Sequence, residues 1–213
     1  MKTFLTIVLA VWFGLVLLLG AEGAFERPTG APPFPILFGA TIPVIAFLTA
    51  FMGWSAFRTA TLQADLRLLT AIQAWRAGGL GFLALQAHGV LPGLFAWPAG
   101  LGDIAIGVTA PWVLLSLIAR PDFEASPLFK IWNVLGIVDL VAAVSFGALG
   151  SGFVPGLVEG ITTAPMAQLP LVLIPAFLVP LFIVAHLAAL LQSRHAEAGQ
   201  RISVAQLANV ENA

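Results

Sequence analysis

Six stretches of this chain run for about 20 residues with scarcely an ionisable side chain in them, and that constrains the fold more than any other feature. They fall near 3–20, 35–57, 68–90, 94–119, 127–149 and 168–192. A helix rises about 1.5 Å per residue, so each run is long enough to cross a hydrocarbon core of about 30 Å. A transmembrane barrel would instead show segments of about 10 residues alternating apolar and polar, a pattern absent here. Composition agrees: 60% of residues are hydrophobic and 9% charged, against about 25% charged in soluble domains. So few charges could not coat a water-soluble surface. The expected fold is an all-α, polytopic transmembrane bundle of about six spans. It is organised as one domain over 1–192 and a short cytoplasmic tail over 193–213.

The charges between the runs orient the bundle. With the N-terminus in the cytoplasm, Lys2, Arg58, Arg67, Arg120, Lys130, Arg194 and Arg201 lie inside and Arg27 alone lies outside. That asymmetry predicts both termini cytoplasmic and a multi-pass location in the inner (cytoplasmic) membrane. The first run has a second reading. Met1 and Lys2 precede an apolar stretch ending in Ala21, Glu22 and Gly23, which makes 1–23 a candidate cleaved signal peptide. Its apolar core exceeds the usual 7–15 residues or so, which favours a retained span. The proline-rich ERPTGAPPFP segment is an external loop that cannot continue a helix, and RTATLQADLR and RPDFEASPLFK are polar cytoplasmic turns. The longest outer connection, Ser151 to about Gln168 and including Glu159, is long enough to lie on or dip into the membrane surface. Val204, Leu207 and Val210 form a weak apolar stripe in the tail.

Apart from Lys130 at the start of the fifth run, the Asp, Glu, Lys and Arg residues inside the runs are Arg76, Asp103 and Asp139. Each costs about 2.5–3.5 kcal/mol at the bilayer centre on insertion scales, so such groups face the bundle interior and pair. Counted from the span ends, Asp103 lies about 13 Å from the outer edge, Asp139 about 18 Å from the inner edge and Arg76 about 12 Å from the inner edge. Small residues share their helix faces. Ala96, Ala99, Gly100, Gly107 and Ala110 accompany Asp103; Gly136, Ala142 and Ala143 flank Asp139; Gln73, Gly79 and Leu83 lie beside Arg76. Three arrangements follow. Arg76 is a static bridge fixing helix register, or it leaves one of two carboxylates uncompensated as a group for proton-coupled transport, or it snorkels to the interface. Gln73, Asn133 and His186 extend the candidate binding and proton-relay set.

In the last run Pro175 and Pro180 each remove a donor, which is expected to free the carbonyls of Leu171 and Ala176 and kink the helix. Haem held between two helices needs two histidines at one depth. His88 and His186 differ by about 25 Å in depth, and His195 lies in the tail. The cofactor therefore stays unknown, with a single-histidine haem or pigment ligand left open. There is no cysteine, hence no thiolate metal site. HExxH, GxxxxGK, GxSxG and clustered Asp or His metal ligands are all missing, so neither a catalytic nor a metal site is assigned; enzymatic activity stays open, with the balance against it. A net charge of −1 without a basic cluster excludes nucleic acid as a partner. The leading expectation is a small transporter or proton-coupled permease. Its alternative is a noncatalytic subunit of a larger membrane complex; a membrane-embedded enzyme or a pigment-binding protein ranks behind both. The expected surroundings are the lipid bilayer, with a membrane-protein partner or a second copy of the chain as candidate protein contacts.

Overall fold

The computed structural model describes residues 2–28, 30–120, 122–158 and 160–211, with backbone alone for residues 2, 4 and 199–211. Glu159 and the side chains of Val204, Leu207 and Val210 lie outside the described residues. The described chain is all helical. Helix α1 spans Lys2–Ala21, α2 Phe34–Gly53, α3 Ser55–Leu62, α4 Leu66–Ala71, α5 Leu80–Ala87, α6 Gly93–Ala119, α7 Pro127–Leu149 and α8 Val179–Glu211. A 3-10 segment, Ile72–Gly79, joins α4 to α5, and a π-helical turn, Ile174–Leu178, leads into α8. Among the described residues, five helical stretches are long and apolar enough to cross a membrane: 34–53, 66–87, 93–119, 127–149 and 174–198. The apolar α1 makes this a bundle of about six spans.

Local chemistry explains the ends. Gly23 and Gly89 adopt positive φ just past α1 and α5. Ala24 and Val90 then donate back to the carbonyls of Leu19 and Leu85, the six-to-one bond of a glycine-terminated helix. Ser126 caps α7 by accepting from the Phe129 N–H, followed by Pro127 in the first turn. Asp65 caps α4 by accepting from Arg67 and Leu68.

The packing inverts that of a soluble protein. Leu101, Val108, Trp112, Leu115, Val134, Leu135, Val138 and Val141 point outward, whereas Gln73, Arg76, Asn133 and His186 are buried. Such a surface suits hydrocarbon as solvent, because polar groups then hold together inside. Helix α6 is the hub, packed against the α4–α5 span on one side and α7 on the other. Helix α8 lies on α7 and α2, and α1 packs chiefly on the π-helical turn.

Four expectations need correction. The second run is not one helix to residue 57: Trp54 takes an extended conformation, φ −123° and ψ 105°, and breaks it. Arg58 then donates to the Phe51 and Met52 carbonyls, stabilising the exposed end of α2 with a cation. The polar turn at 58–67 therefore begins as the short helix α3. The last span starts at Ile174 rather than 168, so Pro175 sits in its first turn. The Leu171 carbonyl is not freed, since it accepts from the Ile174 N–H. Helix α8 runs on through the tail to Glu211. Its Ser193 is fully buried and donates to the Glu124 carbonyl at 2.5 Å, and Gln192 donates to the carbonyls of Thr61 and Ala64.

Candidate functional site

The site begins with the winding of the third span. In a 3-10 helix residues three apart eclipse one another. Gln73, Arg76 and Gly79 are accordingly all buried on one face, while Trp75 between them is 82% exposed. An α-helix would spread those three positions around a wide arc. The winding thus points Gln73 and Arg76 together at α6, α7 and α8.

Arg76 is 2% exposed, and every nitrogen of its guanidinium is engaged. Nε donates to Asp103 Oδ1 at 2.7 Å, and Nη2 donates to Asp139 Oδ2. Nη1 donates to the Gly136 carbonyl at 3.2 Å and lies 3.2 Å from His186 Nε2. Snorkelling is overturned, because two carboxylates on neighbouring helices hold the guanidinium in the bundle. Counted along the helices, Asp103 is about 15 Å into α6 and Asp139 about 18 Å into α7, so the centre is near mid-depth.

A guanidinium can only donate, so His186 Nε2 accepts and the ring proton belongs on Nδ1. That nitrogen lies 2.8 Å from Asn133 Oδ1, and Asn133 Nδ2 donates to the Phe129 carbonyl at 2.8 Å. The edge of the Trp132 ring packs on the imidazole. Gln73 donates to the Phe182 carbonyl at 3.3 Å, while its Oε1 is a buried acceptor without a donor among the described residues. Of the six residues singled out from the sequence, Arg76, Asp103, Asp139, His186 and Asn133 are joined by hydrogen bonds, and Gln73 shares the buried face of Arg76, so four spans contribute to the cluster. His88, by contrast, is exposed and bonds locally to the Ala84 carbonyl, far along the chain from this cluster.

The centre closes this tightly because glycines let the helices in. A Cβ on Gly102 would lie 1.6 Å from Asp139 Oδ1, one on Gly136 2.2 Å from His186 Nε2, and one on Gly107 2.2 Å from the Ala77 backbone nitrogen. Gly136 and Gly107 stood out as small residues beside the aspartates. Gly102 did not, since it sits one position from Asp103 and its role appears only across the helix interface.

A cavity of about 260 Å³ reaches the centre from the loop end of the bundle. Exposed Glu26, Arg27 and Pro28 line its outer part, together with Ser151 and Thr162 from the long connection. Further in, Phe82, Phe95, Leu140, Ala143 and Val179 form apolar walls, and Asp103 is the charged residue at its inner end. The opposite half of the bundle is filled by Leu66, Ile106, Val113, Leu117, Phe129 and Trp132.

The class these features define is a polytopic helical membrane protein with a buried arginine–diaspartate cluster. Residues 33–193 match the family described as Domain of unknown function (DUF8737), and the chain belongs to that family. The matched stretch contains all six cluster residues and leaves out α1. No curated protein and no solved structure matches the chain.

Proposed function

We propose that this protein is a small proton-linked carrier of the inner membrane, with both termini cytoplasmic and the Arg76–Asp103–Asp139 cluster as its coupling site. The observation that carries the reading is a charge imbalance at mid-depth, open to one side. One guanidinium faces two carboxylates, and the cavity ends on one of them. An intramembrane carboxylate with incomplete compensation is the usual ingredient of proton-coupled transport. A cavity on one side and a packed plug on the other is the arrangement of a carrier in one of its two access states. His186 and Asn133 continue the polar path by about 9 Å toward the closed end, as relay residues would.

The test is proton flux into liposomes containing the purified protein, driven by an imposed pH gradient and read with an internal pH-sensitive dye. Protein-dependent flux that falls in Asp103→Asn and Asp139→Asn is the expected outcome. Absent flux, or flux that both variants leave unchanged, would remove the proposal; a stoichiometric co-purifying membrane protein would then point to the subunit role.

A further inference from the structure

Building on the carrier reading, we infer that the cavity is a binding site for a small, apolar, monovalent ammonium compound, with Asp103 as its counter-ion. Three independent properties of the cavity converge on that ligand class.

The first is hydrogen-bond capacity. Asp103 Oδ1 is taken by the Arg76 Nε–H, but among the described residues Oδ2 has no donor. The carboxylate keeps 13% of its side-chain surface accessible, and the cavity is the space it borders. Arg76 spends four of its five N–H donors on Asp103 Oδ1, Asp139, Gly136 and His186, and none of these bonds reaches Oδ2.

The second is charge. The groups facing Asp103 are Arg76 from the third span, Asp139 from α7 and the neutral-tautomer network of His186 from α8. At the loop end Glu26 and Arg27 offset each other. One positive charge is therefore missing at the inner end. An anion would meet an unshielded carboxylate in a low-dielectric site, and a neutral molecule would leave it uncompensated. A proton or one ammonium group completes the balance.

The third is the wall. Phe25, Phe82 and Phe95 line the cavity, and Phe82 and Phe95 meet edge to face with ring centroids 5.1 Å apart. Aromatic rings attract a cation and accept an apolar body. The cavity, at about 260 Å³, is smaller than the roughly 300–1,000 Å³ of drug-sized ligand pockets. The ligand is thus a short amine with an aryl or alkyl body, not a lipid with two chains. Proton and ammonium compete for one carboxylate.

The experiment is calorimetric titration of the purified full chain in detergent with 2-phenylethylammonium, 2-phenylethanol and 3-phenylpropionate. Saturable binding of the ammonium is expected, with the alcohol and the carboxylate weaker by roughly tenfold or more. Asp103→Asn and the cavity-filling Ala143→Phe should each weaken ammonium binding by roughly tenfold or more, while Asp103→Glu retains it. Equal affinity for alcohol and ammonium, no saturable ammonium binding, or a monodisperse Asp103→Asn protein that binds as the parent does would overturn the inference. The ligand comparison uses the parent protein and survives a variant that does not fold. Proton flux without ammonium binding would sink this inference alone. Ammonium binding without any flux would sink the carrier reading alone.

Discussion

Removing Arg76 should be far more damaging than removing either of its partners, and the charge count says why. Arg76→Met leaves two carboxylates facing each other at mid-membrane. It also leaves the His186 Nε2 acceptor, 3.2 Å from Nη1, without its donor. Breaking a buried ion pair from one side costs about 3–5 kcal/mol, and here a single substitution breaks two. Asp103→Asn instead leaves one guanidinium with one carboxylate, and the amide oxygen can still accept from Nε at the 2.7 Å position of Oδ1. Its cost should be about 1 kcal/mol. The combination Arg76→Met, Asp103→Asn, Asp139→Asn removes all three charges and should recover most of the Arg76→Met loss, since neutral replacement of a buried ion cluster is often harmless, with a deficit of about 1–3 kcal/mol left by the unpartnered His186 acceptor. Equilibrium unfolding in mixed dodecylmaltoside and SDS micelles, followed by circular dichroism, orders the four proteins. An Arg76→Met protein no less stable than Asp103→Asn would refute the reasoning, because the guanidinium would then not be the group that both carboxylates need. Activity separates the roles further: the neutral triple variant should fold yet carry no proton flux.

Gly102→Ala would place a methyl group 1.6 Å from Asp139 Oδ1. It should cost about 1–3 kcal/mol and depress flux, whereas Gly14→Ala, with nothing within 4 Å, should shift stability by less than about 0.5 kcal/mol in the same unfolding assay. Asn133→Leu removes the acceptor 2.8 Å from His186 Nδ1, and thermal unfolding should show a loss of about 1–3 kcal/mol from the stranded donor. Trp75 is 82% exposed beside the buried Arg76, so a variant retaining Trp75 as its single tryptophan should be quenched strongly by brominated acyl chains. Quenching by aqueous iodide instead would place that face in water and contradict the span.

Much of the site was legible before any fold was known, for a reason peculiar to hydrocarbon. Arg76, Asp103 and Asp139 stand out because no other Asp, Glu, Lys or Arg lies deep in the spans, and a charge there must find a partner or a cavity. Asn133 and His186 joined them by depth, and Gln73 by its place beside Arg76. Small residues at helical spacing, such as Ala99, Gly100, Gly107 and Ala110, marked the faces that would pack. The winding of the third span was missed, although Gln73, Arg76, Gly79 and Phe82 recur every three residues and all four are buried, which is its signature. The break at Trp54 and the early position of Pro175 were missed because hydropathy measures apolar content and is blind to backbone direction.

By itself the sequence determined the solvent of this protein, the number and approximate bounds of its spans and the identity of the groups that could not be left in lipid. These follow from transfer energies that each residue carries wherever it sits. Only the tertiary structure decided that one guanidinium holds both aspartates, that Gly102 makes room for Asp139 and that a cavity stops at Asp103. Those facts depend on how helices are rotated against one another, and that rotation is set by the summed packing of every interface at once.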